Sequence, residues 1–78
     1  MKPFIIMVDV RDARELPKLE SRLLRYSELI SKTYLYGKDS WGRRTVKKAC
    51  YTVLVQKVRE FKIMLSQLQN NGKISISF

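Results

Sequence analysis

Apolar residues alternate with polar ones, or run together, near both ends of the chain. Residues 4–10, FIIMVDV, are mostly apolar or β-branched and lie between Pro3 and the polar segment RDARE, which predicts a buried first strand. Residues 73–78, KISISF, alternate strictly between polar and apolar, which predicts a half-buried last strand. Residues 70–72, NNG, are a signal for a helix stop and a turn before that strand.

Between those strands, two segments carry apolar residues at helical spacing. In residues 11–26, apolar side chains recur at every third or fourth position from Leu16 to Tyr26, so one side of a helix would face a core. Pro17 fits only the first helical turn and pushes Leu16 away from helical angles, so we expect the regular helix to begin near Pro17. Residues 57–69, KVREFKIMLSQLQ, predict a second amphipathic helix.

The middle of the chain allows two topologies. In the first, residues 28–36 and 48–56 are strands rich in Tyr, Thr, Val, Leu and Ile, and residues 37–42 join them as a hairpin, which gives the order βαββαβ. In the second, no Gly, Pro, Asn or Asp interrupts the helical spacing just after Tyr26 or Val55, so both helices continue and the order is βααβ.

We prefer the topology with four strands. Residues 51–55, YTVLV, are poor helix formers, and a four-stranded sheet covered by two helices buries a core within one short chain. A fold of two helices and two strands would need a second copy of the chain to bury a core. The sequence thus predicts a single basic α+β domain over residues 1–78, with a ferredoxin-like βαββαβ sandwich as the preferred fold and a βααβ helical hairpin as the alternative.

The balance of charges indicates an acidic partner. Sixteen Lys and Arg against seven Asp and Glu give a formal net charge of +9. The chain has no histidine and one cysteine, Cys50, which is expected in the core, so zinc sites, histidine relays and cofactors are not expected and neither is an enzyme. No apolar run reaches the roughly 20 residues that cross a bilayer, and the first one lacks cleavage-site residues, so we expect a cytoplasmic protein with no membrane partner.

Cationic residues form two groups, of which the first follows the first predicted helix. Five cations recur there every three or four residues and would share one side of the helix: Arg11, Arg14, Lys18, Arg22 and Arg25. Because of the proline, the last three lie securely within the helix, whereas the first two would lie in the turn that leads into it. This row is a candidate contact surface for a polyanion.

The second group surrounds a tryptophan in the predicted hairpin: Lys38, Trp41, Arg43, Arg44, Lys47 and Lys48. Cations neutralise phosphates, arginine binds them in a bidentate manner, and aromatic rings stack on exposed bases. Tyr34, Tyr36 and Tyr51 flank this group, and on a sheet face away from the helices they would resemble the aromatic platforms of single-stranded RNA-binding domains. The alternative is that Trp41 packs onto the core as a lid and the lysines serve solubility.

Three carboxylates, Asp9, Asp12 and Glu15, lie close together in the sequence. They could hold Mg²⁺ together with water and phosphate, but Asp12 and Glu15 have the spacing of a helix capping box, which is the interpretation we prefer. An aspartate at the end of a first strand, in VDVRD at residues 8–12, is similar to the arrangement in the small ferredoxin-like nuclease subunits of CRISPR adaptation systems. That resemblance would make Asp9 the catalytic residue of a metal-dependent nuclease.

These features lead to three hypotheses of function. The first is a non-enzymatic nucleic-acid-binding protein, for RNA or DNA, that contacts phosphates through the two basic groups. The second is a protein interaction module or inhibitor that docks on an acidic surface of a nucleic-acid-processing machine. An exposed sheet edge at residues 74–78 would pair with such a partner, or with a second copy as a homodimer. The third and weakest is a nuclease that uses Asp9.

Overall fold

The computed structural model describes residues 1–69 and 72–78. The helices and strands follow one another in this order: β1 Lys2–Val10, α1 Leu16–Tyr26, β2 Glu28–Lys38, β3 Arg44–Val55, α2 Val58–Gln69 and β4 Ile74–Ser77. A 3₁₀ turn, Ala13–Glu15, precedes α1. The order of these elements is β-α-β-β-α-β, so the βααβ alternative is wrong. Except for Gly72, the turn predicted at residues 70–72 lies outside the described residues.

In the described part of the chain, four strands form one antiparallel sheet in the order β2-β3-β1-β4. β1 lies between β3 and β4, so Val8 is opposite Ala49 on one side and opposite Ile76 on the other. β2 and β4 are the edge strands of this sheet. The small α+β domain expected from the sequence is therefore confirmed, and the predicted last strand lies at a sheet edge.

Ser27 ends the first helix, although the sequence has no glycine, proline, asparagine or aspartate there. Its backbone is extended, with φ of −155°, and its N–H and its hydroxyl both donate to the carbonyl oxygen of Leu23, at 2.9 and 2.6 Å. These bonds satisfy a carbonyl at the end of the helix. The β-branched Val53 then pairs with both neighbouring strands and is fully buried. A serine cap and tertiary pairing thus override the helical spacing on which the βααβ alternative depended.

Both helices cover one face of the sheet. Alternate residues of β1 and β3 on that face are buried, among them Ile6, Val8, Val53 and Val55. They pack with the apolar sides of the helices, whose buried residues are Leu16, Leu19, Leu23, Phe61, Met64 and Leu65. Neither described helix is long and apolar enough to cross a membrane.

The other face of the sheet has no helix over it in the described part of the chain, and we call it the open face. Its side chains come from the alternate strand positions, which include the charged Glu28, Asp9 and Lys48 toward the ends and, between them, Pro3, Ile5, Met7, Ser31, Thr33, Leu35, Cys50, Thr52 and Leu54. Ile5, Met7 and Leu35 are 64%, 45% and 56% exposed. Cys50 is half-buried on this face, so its predicted place in the core is wrong.

β2 and β3 extend well beyond β1. The last residue pair between β1 and β3 is Asp9 with Lys48, whereas β2 and β3 stay paired for several residues more. We call residues 36–47, which comprise that extension and its loop, the arm. Because of the arm the molecule is elongated, measuring 42 Å in one direction against 24 and 18 Å in the others.

Candidate nucleic-acid interface

Asp39 organises the tip of the arm. Its Oδ1 accepts hydrogen bonds from the backbone N–H groups of Trp41, at 2.9 Å, and Arg43, at 2.8 Å. Gly42 takes the left-handed conformation, with φ of +77°, and its N–H donates to the Asp39 carbonyl. The turn so formed holds Trp41 away from the protein, 78% exposed, so the alternative in which this ring is a lid on the core is wrong.

Two arginines of the arm lie over aromatic rings. The Arg43 guanidinium is 5.1 Å from the centre of the Trp41 ring, and its Nε is 3.3 Å from Asp39 Oδ2. The Arg44 guanidinium is 4.2 Å from the centre of the Tyr36 ring. Each such pair contributes only about 0.5 to 1 kcal/mol at an exposed site. The contacts nevertheless hold charged groups and π surfaces side by side, which is the combination that a phosphate and its base require.

The turn between β1 and α1 is held by Asp12. Its carboxylate accepts from the side chain of Arg14, through Nε and Nη2, and from the Arg14 backbone N–H, each at 3.0 Å. These bonds, led by the one from the side chain, lower the pKa of Asp12 to about 2. The backbone N–H of Arg11 donates to the Lys73 carbonyl at 2.9 Å, which ties the turn to the start of β4. As predicted, both arginines lie in the turn before the regular helix, which begins at Leu16.

A cleft of about 820 Å³ separates this turn from the arm. Its lining includes Arg11 and Arg14 from the turn and Trp41, Arg43 and Lys47 from the arm. The lining contains two carboxylates, those of Asp12 and Asp39, and each already accepts a hydrogen bond from an arginine side chain. The fold thus joins part of the first basic group to part of the second, which their separation in the sequence did not indicate.

The other predicted contact residues lie outside the cleft lining. Lys18, Arg22 and Arg25 are exposed along α1, where Lys18 Nζ is 3.7 Å from Glu15 Oε1. Lys48 lies at the edge of the open face, with its Nζ 3.8 Å from Asp9 Oδ1. Lys38 and Arg44, also of the second group, belong to the arm, where they lie opposite each other in the last residue pair between β2 and β3. The α1 row is therefore a separate surface.

The expected aromatic platform is wrong, because two of its tyrosines face the helices. Tyr51 is fully buried, and the hydroxyls of Tyr51 and Tyr34 both donate to Oε2 of Glu20 on α1, the former at 2.9 Å. Lys32 Nζ donates to Oε1 of the same carboxylate at 3.2 Å. Burial opposes ionisation of Glu20, but the three hydrogen bonds outweigh it and lower its pKa. Burial and the bond to Glu20 raise the pKa of Tyr51.

The position of Glu20 in the sequence contained a signal for this cluster. Glu20 lies one helical turn after Leu16 and one before Leu23, so it borders the apolar side of α1. A carboxylate at the border of a core needs hydrogen-bond donors from the sheet packed against the helix, and the tyrosines of β2 and β3 are the donors that reach it.

The three carboxylates considered for metal binding do not converge. Asp9 lies at the edge of the open face, whereas Asp12 is occupied by Arg14 and Glu15 is buried, with Oε1 3.3 Å from Lys73 Nζ. Asp12 caps the 3₁₀ turn through the Arg14 N–H, but its own N–H donates to the Lys73 carbonyl at 3.2 Å and Glu15 pairs with Lys73, so only the Asp12 half of the predicted capping box is seen. Among residues 1–69 and 72–78, no group of three or more acidic or cysteine side chains could hold a metal ion.

Comparison of the chain with models of known families, with curated proteins and with solved structures found no match.

Proposed function

We propose that the protein is a non-enzymatic nucleic-acid-binding protein that holds a polynucleotide in the cleft between the arm and the β1–α1 turn. The observation that carries this proposal is the convergence of Arg11, Arg14, Arg43 and Lys47 around one cleft beside an exposed tryptophan. Phosphates would contact the cations and release condensed counterions, which gives most of the affinity. A base would stack on Trp41, which favours a single strand because bases in a duplex are already stacked.

We also propose that the domain has the ferredoxin-like arrangement. Support comes from the strand order β2-β3-β1-β4 together with two helices on one face. In that arrangement the β1–α1 turn and the β2–β3 loop lie at the same end of the sheet, so cations from distant parts of the chain meet there.

Docking of the arm on an acidic protein surface, as an adaptor or inhibitor, is the second candidate because the same cations would serve it. Nucleic acid is favoured by the pairing of arginines with Trp41 and Tyr36, since stacking surfaces add nothing to a contact between carboxylates and cations. A nuclease using Asp9 is the weakest candidate, because that carboxylate stands apart from Asp12 and Glu15.

The test is binding of the purified protein to labelled single-stranded and double-stranded RNA and DNA across a range of salt concentrations. We expect log Kd to depend linearly on log salt, and the double variant Arg43→Ala/Lys47→Ala, which removes two cations of the cleft lining, to reduce the slope by about 1.4 for a single strand, or 0.7 for each lost phosphate contact. Trp41 is the single tryptophan of the chain, so stacking is measured directly as quenching of its fluorescence.

The matched control is Lys57→Ala/Arg59→Ala, which removes the same charge from exposed positions around the start of α2, away from the cleft. This variant should keep the parental salt slope. Equal losses of affinity in both double variants would show that binding follows net charge alone, and that result would overturn the proposed site. Unchanged Trp41 fluorescence at saturation would overturn base stacking.

A further inference from the structure

We propose that the open face of the sheet is a homodimer interface, on which a second copy of the chain packs sheet against sheet. Its central side chains are apolar or neutral, and three large apolar side chains of this face, Ile5, Met7 and Leu35, are exposed. Contiguous apolar patches of this kind mark contact surfaces in soluble proteins. This inference is independent of the cleft, because the two sites use different surfaces of the sheet.

The distribution of charge favours a second copy as the occupant. Two chains of net charge +9 repel each other, and they can approach most closely through a surface whose middle carries no cation. In the middle of the open face the strand positions are Ile5, Met7, Cys50 and Thr52, and none is charged. An acidic partner would gain nothing from this face, whereas the face complements itself.

The charges at its two ends also fit a two-fold pairing. Glu28 lies at the end far from the arm, opposite Leu54, and makes no ion pair within the described residues. Lys48 lies at the end beside the arm, opposite Leu35 on β2 and Asp9 on β1. A two-fold axis across the strands places Glu28 of each copy over the lysine end of the other, and it turns the cationic arms away from each other.

The size of the face agrees with such an interface. The ladder between β1 and β3 contains eight residue pairs. At about 3.3 Å per residue and 4.8 Å per strand, β1, β2 and β3 cover about 26 by 14 Å and the four-residue β4 adds about 13 by 5 Å, which gives about 440 Å² in projection. Side-chain relief raises the accessible area above the projected one, which brings it to the lower end of stable interfaces, about 600 Å² per partner.

The test is the mass in solution, measured by light scattering during size exclusion in the absence of nucleic acid. We expect twice the 9.2 kDa of one chain for the parent and a single chain for Ile5→Lys, because a lysine would then be buried against its own copy. The matched control is Ile63→Lys, on the outer side of α2, where the isoleucine is 50% exposed. This control should remain a dimer.

If the Ile5→Lys variant fails to fold, two further measurements test the proposed interface. Glu28→Lys changes only an exposed charge, and it should weaken the dimer at low salt. Cys50 lies near the proposed axis, so a bismaleimide with a spacer of about 10 Å, the distance between packed sheets, should join two parent chains but not Cys50→Ser chains.

Three outcomes would overturn the proposal. One is a parent chain that is monomeric at every concentration. Another is a folded Ile5→Lys variant that remains dimeric, which would direct attention to the β4 edge. The third is a dimer in which Cys50 cannot be cross-linked. None of these results bears on binding at the cleft, which is measured separately.

Discussion

Replacing Glu20 by glutamine should destabilise the fold by about 1 to 2 kcal/mol. The carboxylate accepts from Tyr34, Tyr51 and Lys32, and its side chain is only 19% exposed. Hydrogen bonds to a charged group contribute about 1.5 to 3 kcal/mol, against about 0.5 to 1.5 for neutral ones, so two tyrosine bonds weaken while the shape is kept. The ion pair with Lys32 is also lost, and it adds little because that lysine is partly exposed.

The loss should depend on pH in a defined direction. The folded protein lowers the pKa of Glu20 below its ordinary value of 4.5. The stabilisation is therefore fully present above the unfolded-state pKa and is lost as the pH falls through the folded-state pKa. The difference between parent and Glu20→Gln should be constant above about pH 5.5 and should close at lower pH, where the parent carries a neutral carboxyl like the variant.

Urea unfolding followed by far-UV circular dichroism is the appropriate assay, because Trp41 is exposed and reports poorly on the core. The control is Glu60→Gln, which neutralises an exposed carboxylate on α2 and should change the free energy of unfolding by less than about 0.5 kcal/mol. A Glu20→Gln variant as stable as this control at pH 7, or a difference that persists unchanged in acid, would refute the role given to the carboxylate.

Two further predictions concern the core and the arm. Phe61→Ala should lower the free energy of unfolding by about 3 to 5 kcal/mol, because the ring is fully buried and lies 5.9 Å from that of Phe4; a loss below about 1 kcal/mol in urea would contradict this packing. Gly42→Ala should cost about 1 to 2 kcal/mol in the same assay, because an L-residue resists a φ of +77° although nothing lies within 4 Å of the added carbon. A neutral effect would mean that the loop relaxes into another turn.

Local chemistry in the sequence was sufficient to predict much of the secondary structure. The tolerance for Pro17 only in a first helical turn placed the start of α1 within one residue, and the β-branched segment 51–55 predicted a strand where spacing alone allowed a helix. Asp12 as a cap followed from the same kind of short-range argument. In each case the deciding interactions involve residues within a few positions of one another.

The directions of side chains could not be predicted in the same way. Tyr34 and Tyr51 face Glu20, which lies far away in the sequence, and polarity did not show this direction because Cys50 and Leu54 on the open face are as apolar as the buried residues between them. Polarity also failed to show which residues of β1 face the helices, because the exposed Ile5 is as apolar as the buried Ile6 beside it. The cleft depends on chain topology, because its arginines meet only after the sheet has formed.

The central position of β1 also determines the order in which the chain can fold. The ladder between β2 and β3 is local and can form as a hairpin within microseconds. Val8, by contrast, must find Ala49 and then Ile76, each across a long loop whose closure costs entropy before any contact compensates for it. We therefore expect closure of the sheet to be slower than formation of the cationic hairpin, so that the arm would form before the cleft beside it has a second wall.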